Sequence, residues 1–582
     1  MSKLNVDQKT VRELFENKKS DFLIPDYQRP YAWGEVECQT LWDDILNFAF
    51  PDNDYSKFDS DNDEYFLGPI VTFINDDKKM EIIDGQQRLT TLMLLLRAFY
   101  TKYGYMKDQM SIKTREWIEK CIWKTDEFGN PDLKKLKIDS EVASDNDKEE
   151  FLEILKTGEA EKSKKSTYAV NYRFFQEKIN EFLNCFPGFF SYLPIRILNN
   201  CILLPIEAES QDTALRIFST LNDRGKPLSD SDIFKAQFYK FFSKENKKDE
   251  FIKQWKQLEE LCDNIFQTGT GTPMDELFTR YMYYERAKLG IRTSTTEALR
   301  KFYEKDKYAL LRKAETFENL VSLATFWNDI ATQNDEKFSN RILRKLLVLN
   351  YAPNGMWTYF VSVYYMSNKD SDGNLDENKF YEFLDKIILF IWAYAFTNPG
   401  VNALRTPVFA EMINIVKGLD VEFREFKIET VTLQNILNSF VFYNKRPITK
   451  SMLAWWAYYD EGQELLPIDT LFEIEHIYAR NRQEHEKGLT KAENIDSIGN
   501  KALLEKRINI RASDYKFVDK CKFYKGFQPA KGQYKEKTKI KELLELAQEK
   551  TDFTETDIVE RSALIISTFI NELGRKQLIK TL

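Results

Sequence analysis

Short apolar runs and longer stripes with a 3.6-residue period divide this chain into differently patterned regions. Residues 65–75 (YFLGPIVTFIN) and 80–83 (MEII) are brief, rich in Ile and Val, and read as strands. Asp84-Gly85 marks a tight turn, and Leu89, Leu92, Met93, Leu96, Phe99 and Tyr100 then recur at helical spacing. The pattern predicts strand, turn, helix. Residues 196–208 (RILNNCILLPIEA) predict a further strand, while helix-like runs, among them 380–396 and 433–442, dominate from about 212 to 445. A second mixed segment starts near 465. Polar stretches at 51–64, 157–166 and 367–378 read as loops. The expected organisation is a helix-rich α+β multidomain chain: an α/β domain over 1–240, a helical region over 241–440 and a small mixed domain over 441–582.

At 582 residues the chain has material for three or four such units, and 43% hydrophobic with 30% charged residues is the balance of a globular protein. The net charge is −8, so any contact with nucleic acid must come from a local basic patch. Six scattered cysteines without a CxxC pair exclude a Cys₄ zinc ribbon and fit reduced thiols in a cytoplasmic setting. The polar start (MSKLNVDQKT) does not look like an export signal, and no apolar run is long enough to predict a membrane span. There are only two histidines, His476 and His485, which confines imidazole chemistry to one window. His485 lies in a charged stretch (NRQEHEKG) and reads as an exposed loop residue.

Two similar motifs stand in the N-terminal region. Residues 24–33 read IPDYQRPYAW and residues 82–91 read IIDGQQRLTT. Each places Gln-Arg beside apolar anchors at the end of an extended segment. In the second a helix starts at once, and its unpaired N–H groups favour an anion. Arg29 and Arg88 add planar donors suited to phosphate, and Gln28, Gln86 and Gln87 can orient a water or read a base edge. A third stretch, 216–235, holds the polar turn 222–226, followed by Ser229 as the expected N-cap of a helix carrying Asp232 and Lys235. No GxxxxGK[ST] or GxGxxG pattern occurs. In order, IPDYQRPYAW, YFLGPIV, IIDGQQRLTTLMLLL and FSTLNDRGKPLSDSDIFK resemble the N-terminal domain of GmrSD-type modification-dependent restriction enzymes, which is related to the ParB/sulfiredoxin fold. The resemblance implies a nucleoside triphosphate site, with hydrolysis, lined by Tyr27, Gln28, Arg29, Asp84, Gly85, Gln86, Gln87 and Arg88. It leaves the base of the nucleotide open.

The C-terminal region carries the second constellation. In FEIEHIY (472–478) strand alternation puts Phe472, Ile474 and His476 on one face and Glu473, Glu475 and Ile477 on the other. Ile498-Gly499-Asn500 leads into a second short strand, Asn509 follows, and a helix capped by Ser513 is expected to carry Tyr515, Phe517, Val518 and Cys521. Phosphodiester hydrolysis needs a neutral imidazole to take a proton from water, a group to fix its tautomer, and a hard cation held by oxygen ligands. His476, Asn500, Glu475 and Asn509 can supply those parts in the order hairpin then helix. This resembles the C-terminal HNH (ββα-metal) nuclease domain of the same family, with Phe517 and Lys520 matching its helix. The resemblance implies His476 as general base, Asn500 positioning it, and Glu475 and Asn509 as ligands of Mg²⁺ or Mn²⁺. Where the family carries Pro-Gln soon after Glu-His-Ile, this chain has Tyr478-Ala479-Arg480.

The window from Lys501 to Lys541 holds 13 Lys/Arg against 4 Asp/Glu, a net charge of +9 in an otherwise acidic chain, with interleaved aromatics. It is the expected DNA-contacting surface, with Lys516, Lys520 and Lys525 on phosphates. The combined expectation is a nucleotide-responsive, metal-dependent endonuclease restricting foreign, modified phage DNA. Two alternatives stay open: a nucleotide-gated DNA sensor with an inactive nuclease unit, and an RNA-cleaving toxin. Expected partners are DNA and a nucleoside triphosphate, with homo-oligomerisation open and no membrane.

Overall fold

The computed structural model describes residues 5–6, 8–18, 20–50, 64–142, 145–211, 213–214, 217, 229–267, 271–400, 402–530 and 532–580. The expected loop at 51–64, but for its last residue, and the turn at 222–226 lie outside them. The chain is 59% helical and of the α+β kind expected, and it divides into two compact units, Met1–Gln257 and Leu258–Leu582.

The first unit is built on a mixed sheet. Its strands are β1 (Asn5–Val6), β2 (Lys9–Thr10), β3 (Phe22–Ile24), β4 (Tyr65–Ile74), β5 (Met80–Asp84), β8 (Ile138–Ser140) and β9 (Cys201–Ala208), with β6 (Trp123–Thr125) and β7 (Pro131–Leu136) forming a separate two-stranded ribbon. The sheet order is β1-β9-β4-β5-β3-β8, with β2 also paired to β9. The strand expected from 196 begins at Cys201, because Tyr192–Asn199 is a helix packed before it. In the central strand β4 the ladder is interrupted between Phe66 and Gly68, where Gly68 adopts φ +118° just before Pro69, which has no N–H to give. Beyond β5, Gly85 takes the left-handed conformation (φ 92°) and turns the chain into the helix Gln86–Tyr103, as the pattern predicts. Leu89, Leu92, Met93 and Leu96 of that helix are fully buried in the unit's core. Ser229 caps the helix Asp230–Lys244, accepting a hydrogen bond from the Asp232 N–H.

The second unit is mostly helical. The run 380–396 lies within the helix Glu377–Thr397, and the helix expected to end at Phe442 runs instead from Thr430 to Ser439. Phe440 and Phe442 leave it extended and pack edge-on against Phe396. Among the described residues a hairpin pairs β10 (Phe472–His476) antiparallel with β11 (Lys501–Glu505), setting His476 opposite Lys501 and Glu475 opposite Ala502. Two helices follow, Lys506–Ala512 and Phe517–Lys525. Ser513 is therefore not an N-cap: it closes the first helix with φ 40°, and Lys516 stands at the start of the second. No helix of the described residues is long and apolar enough to cross a membrane.

Candidate functional sites

In the first unit the two Gln-Arg motifs meet. Gln87 of the helix Gln86–Tyr103 accepts from the Ala32 N–H (2.7 Å) and donates to the Pro30 carbonyl (3.1 Å). Gln86 donates to the Arg29 carbonyl (3.4 Å), and Gln28 donates to the Ile83 carbonyl of β5 (3.2 Å). Buried glutamines thus latch the segment 25–34 over the start of the helix, and their amides are spent largely on backbone. The Gln86 Oε1 alone is buried without a hydrogen-bond partner. Tyr27 is buried and donates to Glu81 (3.1 Å). Arg88, in the first helical turn, donates from Nη1 to the Pro69 carbonyl (2.9 Å). Its guanidinium fits there because Gly68 has no side chain: a Cβ on Gly68 would stand 2.9 Å from Nη2. Burial pushes the Asp84 carboxyl up, against the Gly85 N–H and the charges of Arg88 and Arg29, which pull it down. All eight expected nucleotide-site residues therefore lie in one neighbourhood. Arg29 and Arg88 are cations of this neighbourhood, both close enough to act on the Asp84 carboxylate, with Arg88 also held by the Pro69 carbonyl.

In the second unit His476 ends β10 with its side chain 15% exposed. Facing it across the hairpin, the wholly buried Lys501 ammonium meets three acceptors: Asn444 Oδ1 (2.5 Å), Asp496 Oδ1 (2.9 Å) and His476 Nε2 (3.0 Å). Asp496 Oδ1 is itself 3.6 Å from His476 Nε2 and accepts from Arg480 (2.8 Å), whose side chain is half exposed. With Lys501 charged, its N–H is assigned as donor to Nε2, which leaves the ring proton on Nδ1. Burial, then Lys501 and Arg480, push the imidazole pKa down to about 4 against the opposing pull of Asp496. Burial pushes the Asp496 carboxyl up, but Lys501 and Arg480 outweigh it and hold it below the usual range. Asp496 also forms part of the wall of an open groove of about 760 Å³ lined by Phe440, Phe442, Asn494 and Glu555.

The expected helpers of His476 are placed differently. Asn500 is fully buried, but its amide clasps backbone: Oδ1 accepts from the Tyr478 N–H (2.7 Å) and Nδ2 donates to the Tyr478 and Ile495 carbonyls. It braces the turn after β10 rather than the imidazole, which Lys501 and Asp496 hold. Sequence reasoning passed over both, although Lys501 follows Asn500 directly and hairpin register sets it opposite His476.

Alternation sends Glu475 to the other face. There its carboxylate accepts from Lys520 Nζ (2.8 Å) and from the Tyr524 hydroxyl (2.5 Å), both carried by the helix Phe517–Lys525. Burial pushes its carboxyl up, with Lys520 and Tyr524 opposing. Lys520, also bonded to the His476 carbonyl (2.6 Å), is 1% exposed. It is thus a correction to the expected DNA-contacting set: its ammonium is committed to the core. Lys516 is exposed and paired with Glu486 (2.7 Å), and Lys525 is exposed. Asn509 donates to Glu473 (2.9 Å), while its Oδ1 is buried without a partner. Among the described residues no three His, Cys, Asp or Glu side chains are grouped to hold a metal ion. Glu475 and Asn509 as arranged do not fit a divalent cation, because an ammonium already neutralises the carboxylate.

The hairpin is fixed from behind by the helix Glu555–Arg575. Arg561 donates to the carbonyls of Ile498, Gly499 and Lys501 (2.8–3.2 Å) and pairs through Nε and Nη2 with Glu542. Gly499 touches that helix so closely that a Cβ would lie 2.0 Å from the Ile558 carbonyl.

Residues 11–239 match the family model "GmrSD restriction endonuclease, N-terminal domain", and residues 428–568 match "GmrSD restriction endonucleases, C-terminal domain". The chain belongs to the GmrSD-type restriction endonuclease family. No curated protein matches it.

Proposed function

We propose that the second unit is an HNH-type nuclease that hydrolyses phosphodiester bonds of foreign, modified DNA, with His476 as general base. The observation that carries this reading is the placement of His476 at the end of a hairpin strand, with its ring beside Lys501 and Asp496 and the half-exposed Arg480 next to them. To act as base the ring must expose Nε2, so the Lys501 N–H that it accepts here has to turn to Asp496 and Asn444 when substrate binds; general-base help of this kind is worth about 10²–10⁴-fold in rate. Lys501 and Asp496 position the ring. Arg480, standing where the family carries Pro-Gln, is the half-exposed cation beside it and is assigned here to the scissile phosphate. Mg²⁺ or Mn²⁺ stays in the proposal as a requirement to be measured, and no step is drawn through it because Glu475 is bound to Lys520. The test is cleavage of plasmid and modified phage DNA by wild type and His476→Ala, with and without EDTA. Wild-type cleavage lost in the variant supports the reading; equal cleavage overturns it.

We infer further that the first unit, proposed as ParB/sulfiredoxin-like, binds and hydrolyses a nucleoside triphosphate whose phosphates meet Arg29 and Arg88 at the start of the helix Gln86–Tyr103. The helical region between the matched segments would couple that state to cleavage. Calorimetry with several triphosphates tests the binding; absence of heat with all of them overturns it.

A further inference from the structure

The aromatic residues of the basic window fall into two classes. Phe517 and Tyr524 are core residues, 1% and 0% exposed. Tyr515, Phe523 and Phe527 instead form an outer row. Tyr515 stacks on Phe523 with centroids 5.5 Å apart and planes at 24°, and Phe523 meets Phe527 edge-on at 5.5 Å. Lys522 Nζ lies 4.5 Å from the Phe527 ring centroid. Tyr515, just before the helix Phe517–Lys525, is 52% exposed, and Val518 in its first turn is 59% exposed. Tyr515 is thus the exposed end of the row, backed by the half-buried Phe523 and Phe527. The surroundings are cationic. Among the described residues from 501 to 541, eight Lys and Arg side chains are exposed against three carboxylates, those of Asp514, Asp519 and Glu536, while Lys506, Lys516 and Lys539 also meet Glu473, Glu486 and Glu464 outside that stretch.

We propose that this face is a stacking platform for unpaired nucleotides, so that the strand presented to the nuclease unit is single-stranded or locally unstacked. The inference rests on the DNA-directed reading above for its choice of polymer. A duplex hides the faces of its bases and offers only phosphates and groove edges, so an exposed tyrosine ring adds little to it. A single strand can lay a base on Tyr515 while Lys522 and Lys525 meet the flanking phosphates. An acidic protein would match the charge but would not require open ring faces.

The test uses the full chain and fluorescence anisotropy with labelled oligo-dT, a duplex of equal length and an oligo-glutamate peptide. Oligo-dT should bind more tightly than duplex. Tyr515→Ala should weaken oligo-dT about tenfold without changing its salt slope, since stacking releases no counterions, while Tyr515→Phe retains binding. Lys522→Gln with Lys525→Gln should lower that slope by about 0.7 for each lysine. Equal losses on duplex and oligo-dT, unaltered binding in Tyr515→Ala, or tighter binding of the peptide would each overturn the platform. Wild-type cleavage with no effect of Tyr515→Ala on binding removes the platform and leaves the nuclease; the platform's signature without cleavage removes the nuclease and leaves the platform.

Discussion

His476 sits beside an ammonium, a carboxylate and a guanidinium, and burial with the two cations decides its charge. In an unfolded chain an imidazole protonates near pH 6.5. Here its pKa is about 4, so between these values the unfolded state binds the extra proton. The stability contributed by the neutral ring is intact above about pH 6.5 and is lost as pH falls toward 4, by roughly 2–4 kcal/mol. Because the chain has only two histidines, selective imidazole labelling gives two NMR signals, and that of His476 should stay neutral down to about pH 4. Lys501→Met leaves Asp496 as the nearest charge, so the His476 pKa should rise. An unmoved titration would mean that Lys501 does not govern the ring.

The hairpin β10–β11 owes its placement to side chains that approach from the helices around it. Gly499→Ala would drive a methyl group into the Ile558 carbonyl and the Ser562 hydroxyl. A loss of about 1–3 kcal/mol in urea unfolding is expected, with reduced cleavage because Asn500 and Lys501 follow directly. Lys520→Met strands the Glu475 carboxylate in the core, which costs about 3–5 kcal/mol, whereas a phosphate-contacting surface lysine would leave stability unchanged. Much of this region was legible in the sequence. The alternation of FEIEHIY separated Glu475 from His476, and the Ile-Gly-Asn turn announced the second strand. What the pattern could not supply was partner identity. Lys520 and Lys525 look alike as letters in a basic stretch, yet one helical face buries the first and exposes the second. Asn500 was readable as a site residue, but whether its amide would meet a ring or a backbone turn depends on contacts closed by Arg561, sixty-one positions downstream. In the first unit the strand-turn-helix was readable from β4 to the helix Gln86–Tyr103, whereas the latching of segment 25–34 by Gln86 and Gln87 was not, since polar residues at a turn suggest a ligand as readily as a backbone partner.

Across the whole molecule the proposed nucleotide site and the proposed nuclease site occupy different compact units, so one can influence the other only through an element with two states that both sites bias. Arg88→Ala removes a charged donor from the anion neighbourhood and should weaken triphosphate binding by about 1.5–3 kcal/mol in calorimetry. It should also alter phage restriction although it touches no residue near His476; lost binding with unaltered restriction would end the coupling. The central claim is that His476 performs the cleavage of DNA. Its most direct test is single-turnover cleavage of modified phage DNA by wild type and His476→Ala under matched folding, Mg²⁺ and nucleotide conditions. The expected result is a fall of about 10²–10⁴-fold in rate with triphosphate binding unchanged. Cleavage by His476→Ala at the wild-type rate would contradict the account.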